Sequence, residues 1–311
     1  MTKIAITGAT GDLAQRVIAL LSERIGSANL ILVTRSPDSL GALRDEGAQV
    51  RFGDFDDPAS LEQAFAGADR LQLISGLAIN RRVQQHRNAI AAARNAGVQH
   101  IVYTSTAGIH PMNPTLSAQE HIVSEQDLRA SGLSFTILRD ATYAEIIAIL
   151  MLAPALATGK WEQVGPGGVL APVSKDDIAA CAAQCLLDPK QHGGATYEIT
   201  GPELLGFTEM AAIASDVHGV PIEYVPITEE QAYARFDAMG IPRDYQDGMQ
   251  FAETHAWPST EMVSAGVSMA QNYHAILTRH VEFITGRAPK PLRKVMQDAK
   301  DLTSADLRPT S

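Results

Sequence analysis

Two glycines near the N-terminus pose the first chemical question. Gly8-Ala9-Thr10-Gly11-Asp12-Leu13-Ala14 follows a short apolar run, residues 3–7, and opens a stretch, 13–25, whose apolar residues recur with helical spacing. Gly8 permits a tight turn. Gly11 lets main-chain N–H groups approach an anion, and Ala14 is small enough for close helix–strand packing. The positive end of the helix then faces that anion. In this context Gly8, Thr10, Gly11, Asp12 and Leu13 are expected to hold the pyrophosphate of a dinucleotide.

The end of the second apolar run decides which dinucleotide. A site for NAD usually carries Asp or Glu there, roughly 20 residues past the glycines, to bind a ribose hydroxyl. This chain has Val33-Thr34-Arg35-Ser36. Arg35 offers a planar cation and Ser36 a hydroxyl, which suits a 2′-phosphate and points to NADPH. In Gly53-Asp54-Phe55, Asp54 could accept from an adenine amino group; the alternative is a turn residue at a strand end.

These residues need a scaffold. Strand signals at 3–7, 29–34, 49–52, 70–74, 100–104 and 134–138 alternate with helix signals at 13–25, 39–46, 59–66, 80–96 and 117–130. Asp57-Pro58 reads as an N-cap with Pro at the first helical position. Nearly all-apolar strands between such helices imply an α/β, doubly wound parallel sheet of the Rossmann type. In the second half, Ser174 caps a helix to about 187, 196–200 is a strand, Thr208 caps a helix to 218, 222–225 is a strand, and Thr228 opens another helix. Residues 240–275 show no period, and the polar tail after Asp301 is expected to fray. The expected organisation is a dinucleotide-binding domain, 1–155, and a smaller C-terminal α/β substrate lobe, 156–311, partly interleaved with the sheet.

Composition removes several functions. The 311 residues carry 25 basic and 35 acidic side chains, a formal charge of −10, so a nucleic-acid partner is not expected. The longest apolar run, 146–157, contains Pro154 and falls short of the roughly 20 residues a membrane span needs. No export signal is apparent, which makes the cytoplasm the expected location. The nine histidines show no His-x-x-x-His spacing, and no metal is expected. Cys181 and Cys185 lie in an Ala-rich helix and read as core.

The motifs together resemble the NmrA-like atypical short-chain dehydrogenase/reductases. The resemblance rests on Gly-Ala-Thr-Gly-x-Leu, Arg35, Gly53-Asp54-Phe55, Tyr103-Thr104-Ser105, Leu138 to Tyr143, Val173 to Ala179, Tyr197 to Glu203 and Thr285-Gly286-Arg287-Ala288-Pro289. It is nearest to the branch that contains type 2 NAD(P)H:quinone oxidoreductase and triphenylmethane reductase. It implies that Phe55 lies by the cofactor with Asp54. It implies that Ile74, Ser75 and Gly76 line the cofactor ribose, and that Thr104 and Ser105 lie near the nicotinamide ribose. Ala141, Thr142 and Tyr143 would approach the nicotinamide, and Lys175 would be a basic group near the cofactor. Asp140 departs from the family pattern, which often has Asn there.

Ordinary short-chain dehydrogenases use a Tyr-x-x-x-Lys pair on the helix after the fifth strand. This chain has no Lys between Lys3 and Lys160 and no Tyr between Tyr103 and Tyr143. The corresponding segment holds His121 and Glu125, on one helix face. Either hydride goes to an acceptor that needs little acid help, with His121 or Tyr143 donating a hydrogen bond or proton, or the His121/Glu125 pair is structural. His110 to Pro114 is expected to form a loop over the site. Residues 146–156, Trp161, Trp257 and Tyr273 are either core or the wall of an apolar substrate pocket. The expected activity is an NADPH-dependent reductase acting on an apolar, conjugated or aromatic small molecule. The alternatives are a redox sensor that binds a protein partner, and a pathway-specific reductase or isomerase. A homodimer is left open.

Overall fold

The computed structural model describes residues 2–246 and 257–303. Strands β1 (Ile4–Thr7), β2 (Leu30–Thr34), β3 (Gln49–Phe52), β4 (Arg70–Leu73), β5 (His100–Thr106) and β6 (Ser134–Asp140) alternate with helices α1 (Asp12–Ile25), α2 (Gly41–Asp45), α3 (Pro58–Phe65), α4 (Arg82–Asn95) and α5 (Leu116–Ala130). A π-helical turn (Ile146–Met151) then leads into α6 (Ala153–Thr158), β7 (Lys160–Val164), β8 (Val169–Leu170), α7 (Lys175–Leu187), α8 (Pro189–His192), β9 (Thr196–Ile199), β10 (Leu205–Gly206), α9 (Phe207–His218), β11 (Glu223–Ile227) and α10 (Glu229–Ala238). Helices α11 (Ser259–Ala270), α12 (His280–Thr285) and α13 (Leu292–Asp298) follow.

The main sheet has the order β3-β2-β1-β4-β5-β6-β9, and every pairing in it is parallel. Strand order reverses between β1 and β4, so a crevice opens there beyond the carboxyl ends of the strands. β1 and β2 are buried along their whole length, as strands covered on both faces must be. One apolar cluster joins the sheet to α1 and α7; the other joins it to α3, α4 and α5. Alternation along a strand assigns the faces: Leu138 belongs to the first cluster and Ile137 to the second.

The chain returns to this sheet late, since α7 packs on α1 and β9 pairs with β6. A separate apolar cluster gathers the π-helical turn, α6, Trp161, Phe207, Met210 and Met296. Trp161 is buried edge-on to Phe207, ring centres 5.9 Å apart, so it packs this second core. Cys181 and Cys185 are buried, and burial pushes the Cys185 thiol up to about 12.

Local caps act where the sequence puts them. Asp57 accepts from Ala59 and Ser60 N–H, Ser174 from Asp177 N–H, and Thr228 forms a reciprocal capping box with Gln231. Helix α9 differs: Gly206, not Thr208, is its N-cap. Phe207 must be the first helical residue to reach Trp161, while Gly206 is still paired with Val169. Helix α11 occupies part of the segment that showed no period. Most of the polar tail lies outside the described residues. Among the described residues no helix is long and apolar enough to cross a membrane.

Candidate active site

The glycine turn sits at the strand-order reversal. Gly8 has φ +59°, a conformation that favours glycine, and its carbonyl accepts from Gly11 N–H at 2.8 Å. A Cβ on Gly11 would lie 3.2 Å from that carbonyl oxygen. Gly11 is the N-cap of α1, and no side chain caps the helix. The first amides of α1 are therefore presented toward the crevice, as an anion site requires.

Two charges flank this helix end. Lys175, the first residue of α7, is buried along its stem, and its Nζ donates to Asp12 Oδ2 at 2.7 Å. Asp12 also accepts from Arg16 Nε at 2.9 Å. Burial would raise the Asp12 carboxyl, but Lys175 and Arg16 together hold it below its usual range. Arg16 reaches on to Asp176, and Asp176 to Lys290. The Lys175 N–H is held by the Glu145 carboxylate at 3.1 Å to each oxygen, and Lys175 Nζ lies 5.9 Å from the Tyr143 ring centre.

The remaining expected residues fall along the strand ends. Arg35 and Ser36 are exposed just past β2, and Ser36 N–H donates to Thr34 Oγ1 at 3.1 Å. Asp54 is built into a turn: its N–H donates to Ser60 Oγ and its Oδ1 accepts from Asp56 N–H, both at 3.0 Å. Phe55 is half-buried, edge-on to His86. Ile74 N–H donates to Thr7 Oγ1 at 3.0 Å, Ser75 N–H to Thr104 Oγ1 at 2.9 Å, and the Gly76 carbonyl accepts from Arg82 Nε at 2.9 Å. These three bonds pin the end of β4. Ser105 turns to the other face, donating to Glu125 Oε1 at 2.7 Å. Ala141 N–H donates to the Ile199 carbonyl, and Thr142 accepts from Val173 N–H. Tyr143 is half-buried, and its hydroxyl donates to Asp140 Oδ2 at 3.2 Å.

His121 and Glu125 share a helix but make separate contacts. His121 Nδ1 lies 2.6 Å from the Tyr103 hydroxyl, inside a buried cluster with His86 and Ser124. Burial lowers the His86 imidazole to about 3 and puts His121 well below its ordinary value, so both rings are neutral. Glu125 instead gathers Ser105, Arg129 and Arg139. Beside them Arg82 pairs with Glu120 at 2.6 Å, and Glu120 also takes Asn80 N–H.

The loop at 108–114 lies against Tyr273. The Tyr273 hydroxyl donates to the Met112 carbonyl at 3.0 Å, its ring meets His110 at 5.5 Å, and a Cβ on Gly108 would lie 2.9 Å from the Tyr273 carbonyl oxygen. Trp257 is half-buried ahead of α11. Sequence reading missed Glu145, the Arg82–Glu120 pair and the histidine–tyrosine cluster. It noted Asp140 only as a departure from a family pattern; its place three residues before Tyr143 was the available signal.

A strand, a glycine turn and an uncapped helix at the reversal point of a parallel sheet define a dinucleotide-binding protein. The comparisons agree. The model of a family described as NAD(P)H-binding matches residues 8–189. Quinone oxidoreductase 2 of Escherichia coli (strain K12) is 35% identical over 246 residues, 78% of this chain and 84% of the relative. The crystal structure of an NADPH-dependent quinone oxidoreductase from Escherichia coli, complexed with NADPH, superposes with TM-score 0.84 at 30% identity, over 96% of this chain and 100% of that one. Triphenylmethane reductase of Citrobacter sp., complexed with NADP(H), gives TM-score 0.83 at 27% identity, over 96% of this chain and 99% of that one. The chain belongs to the NAD(P)H-binding family, in its NmrA-like, quinone-reductase-like branch.

Proposed function

We propose that this chain is an NADPH-dependent reductase whose acceptor is an apolar conjugated or aromatic small molecule, of the quinone or cationic-dye type. The observation that carries the reading is the uncapped glycine turn at the strand-order reversal, with Arg35 in the place where an acid would select NAD. The likeness to quinone and dye reductases supports the acceptor class.

Reduced nicotinamide, when bound, supplies a hydride. The protein's own groups do the rest. Main-chain N–H groups from Gly8 to Leu13 and the Lys175 ammonium hold the pyrophosphate. Arg35 and Ser36 take the 2′-phosphate. The pinned β4 end, Ile74 to Gly76, together with Thr104 lines the ribose side of the crevice. Ala141, Thr142 and Tyr143 flank the reacting ring. Helix α5 carries neither Tyr nor Lys, so no Tyr-x-x-x-Lys pair can act from it. Tyr143, half-buried at the crevice, is the proton donor where the acceptor needs one. The role of His121 is to pack α5 on the sheet. We place the enzyme in the cytoplasm and assign it a small-molecule substrate.

NADPH oxidation against a panel of quinones and cationic triarylmethane dyes tests the reading. Turnover is expected with members of both groups. Arg35→Ala should weaken NADPH binding by about tenfold, the size of one charge-assisted hydrogen bond, and leave NADH unchanged. Tight NADP⁺ binding without turnover of any acceptor would reverse the reading in favour of a redox sensor.

A further inference from the structure

Asp140 ends β6 with its side chain on the α7 face of the sheet, 4% exposed. Oδ2 accepts from the Tyr143 hydroxyl at 3.2 Å, and buried Oδ1 has no hydrogen-bond partner. The charged groups around it do not suit an anion. Arg139, its neighbour, turns to the opposite face and is taken by Glu125 and Glu198. Lys175 is taken by Asp12. From β9, Glu198 lies across from Arg139 and pairs with it, leaving one buried oxygen unpartnered, and from α7 comes the un-ionised Cys181 thiol. Next to Tyr143 lies a further acid, Glu145. A carboxylate with one long hydrogen bond and no cation is costly to bury; the neutral acid is not.

Resting on the function proposed above, we infer that Asp140 is a neutral carboxyl that stores a proton behind Tyr143 and returns it to the Tyr143 hydroxyl after that hydroxyl has protonated an oxygen of the acceptor. Burial, with Glu198 adding to it, pushes the Asp140 carboxyl well above its usual range despite the Tyr143 hydrogen bond. Burial and the neighbouring acids raise the Tyr143 hydroxyl as well, so it too rests neutral.

The step balances. A quinone that has gained a hydride, two electrons and one proton, is a hydroquinone monoanion. With Asp140 neutral, its Oδ2–H donates to the Tyr143 oxygen across the same 3.2 Å contact, which frees the Tyr143 proton to face the acceptor. The Tyr143 O–H bond breaks, its proton bonds to the anionic oxygen, and the electron pair stays on Tyr143. The Asp140 O–H bond then breaks, restoring the tyrosine, and the carboxylate takes a proton from water before the next turnover. A triarylmethane cation becomes neutral on gaining a hydride and needs no proton. Asp140 is thus a positioning and proton-storing residue that acts through Tyr143.

The chemistry supplies a test that a merely structural role would not pass. Asp140→Asn should lower kcat for a quinone by about ten- to a hundredfold, within the range of general-acid effects, and leave kcat for a cationic triarylmethane dye within about twofold; Tyr143→Phe should lower kcat for the quinone at least as much. Equal losses on both acceptors, or no loss on the quinone, would overturn the inference. A second readout needs neither cofactor nor turnover. The infrared difference between the protein and Asp140→Asn at neutral pH should show the loss of a protonated-carboxyl band; loss of an ionised-carboxylate band overturns the proposal. Tyr143→Phe should shift the same band in a chain that keeps Asp140, and an unmoved band counts against it. Failure to reduce any quinone would defeat the functional reading and leave the infrared result standing.

Discussion

On the α4/α5 face of the sheet, Arg82 and Glu120 meet with side chains 4% and 11% exposed, and Glu125 binds its two arginines from a site 2% exposed. On the α1/α7 face the Asp12–Lys175 pair has Asp12 at 22%, and the chain of charges runs outward through Arg16 at 32% and Asp176 at 39%. Both networks reach the same row of strand ends. The first is closed at its centre: the Glu120 and Glu125 carboxylates are each held by protein donors at both oxygens, and it pins the backbone, through Arg82 to the Gly76 carbonyl and Asn80 N–H to Glu120. The second stands beside an uncapped helix end, and its lysine can exchange a carboxylate for a phosphate. On the function proposed above, the closed network holds the crevice in shape and the open one is where ligand charge would be met.

The largest expected effect strikes the closed side. Glu120→Ala leaves the Arg82 guanidinium buried without its acid and should cost about 3–5 kcal/mol of stability, read by urea unfolding. A stability change of less than about 1 kcal/mol, the worth of a surface pair, would break the division between the two faces.

Next in size is the open side. Lys175→Met should raise the Kd for NADPH by about tenfold to thirtyfold, ~1.4–2 kcal/mol, while urea unfolding of the cofactor-free protein moves by less than half of that. Asp12→Asn should act with the opposite sign, because it removes a negative charge from the helix end that faces the pyrophosphate. If both variants weaken binding alike, the ion pair is architecture and the contrast fails.

Sequence reading reached one of these networks better than the other. The glycine turn, the β2 end with Arg35 and the caps at Asp57, Ser174 and Thr228 are local: a few neighbouring residues and a periodicity determine them. So the parallel sheet and the glycine turn at its order reversal were legible. What was not legible depends on contacts far apart in the chain. Asp12 meets Lys175 across 163 positions and Arg82 meets Glu120 across 38. Spacing put His121 and Glu125 on one helix face, yet it could not show that one would turn to Tyr103 and the other to Ser105 and Arg139. Helix α11 was missed because Pro258 and Gly266 interrupt the segment; Pro258 is in fact its N-cap, and Gly266 lies where a Cβ would meet Val164. Thr208 drew attention as a cap by type, while the start of α9 was set by Phe207 packing on Trp161.

The smallest effect separates the two faces by pH. Burial lowers the His86 imidazole to about 3, with Arg82 adding to the shift. An unfolded chain binds that proton near pH 6.5, so the stability owed to neutral His86 is present above pH 6.5 and is lost as pH falls toward its folded value. On the open side Asp12 and Asp176 are held below the usual carboxylate range by their cations. Their contribution is present above the unfolded carboxylate value, near 4, and is lost only as pH falls below it through the folded values. Between pH 6.5 and 5.5 the His86 cluster should weaken, by about 1 kcal/mol for a single such histidine, while the Asp12–Lys175–Asp176 network keeps its contribution. Unfolding free energies of His86→Phe at those two pH values should differ by about that much less than those of the unaltered chain. An unchanged difference would mean that His86 takes up its proton in the folded protein, and that the cluster under β5 is open to water after all.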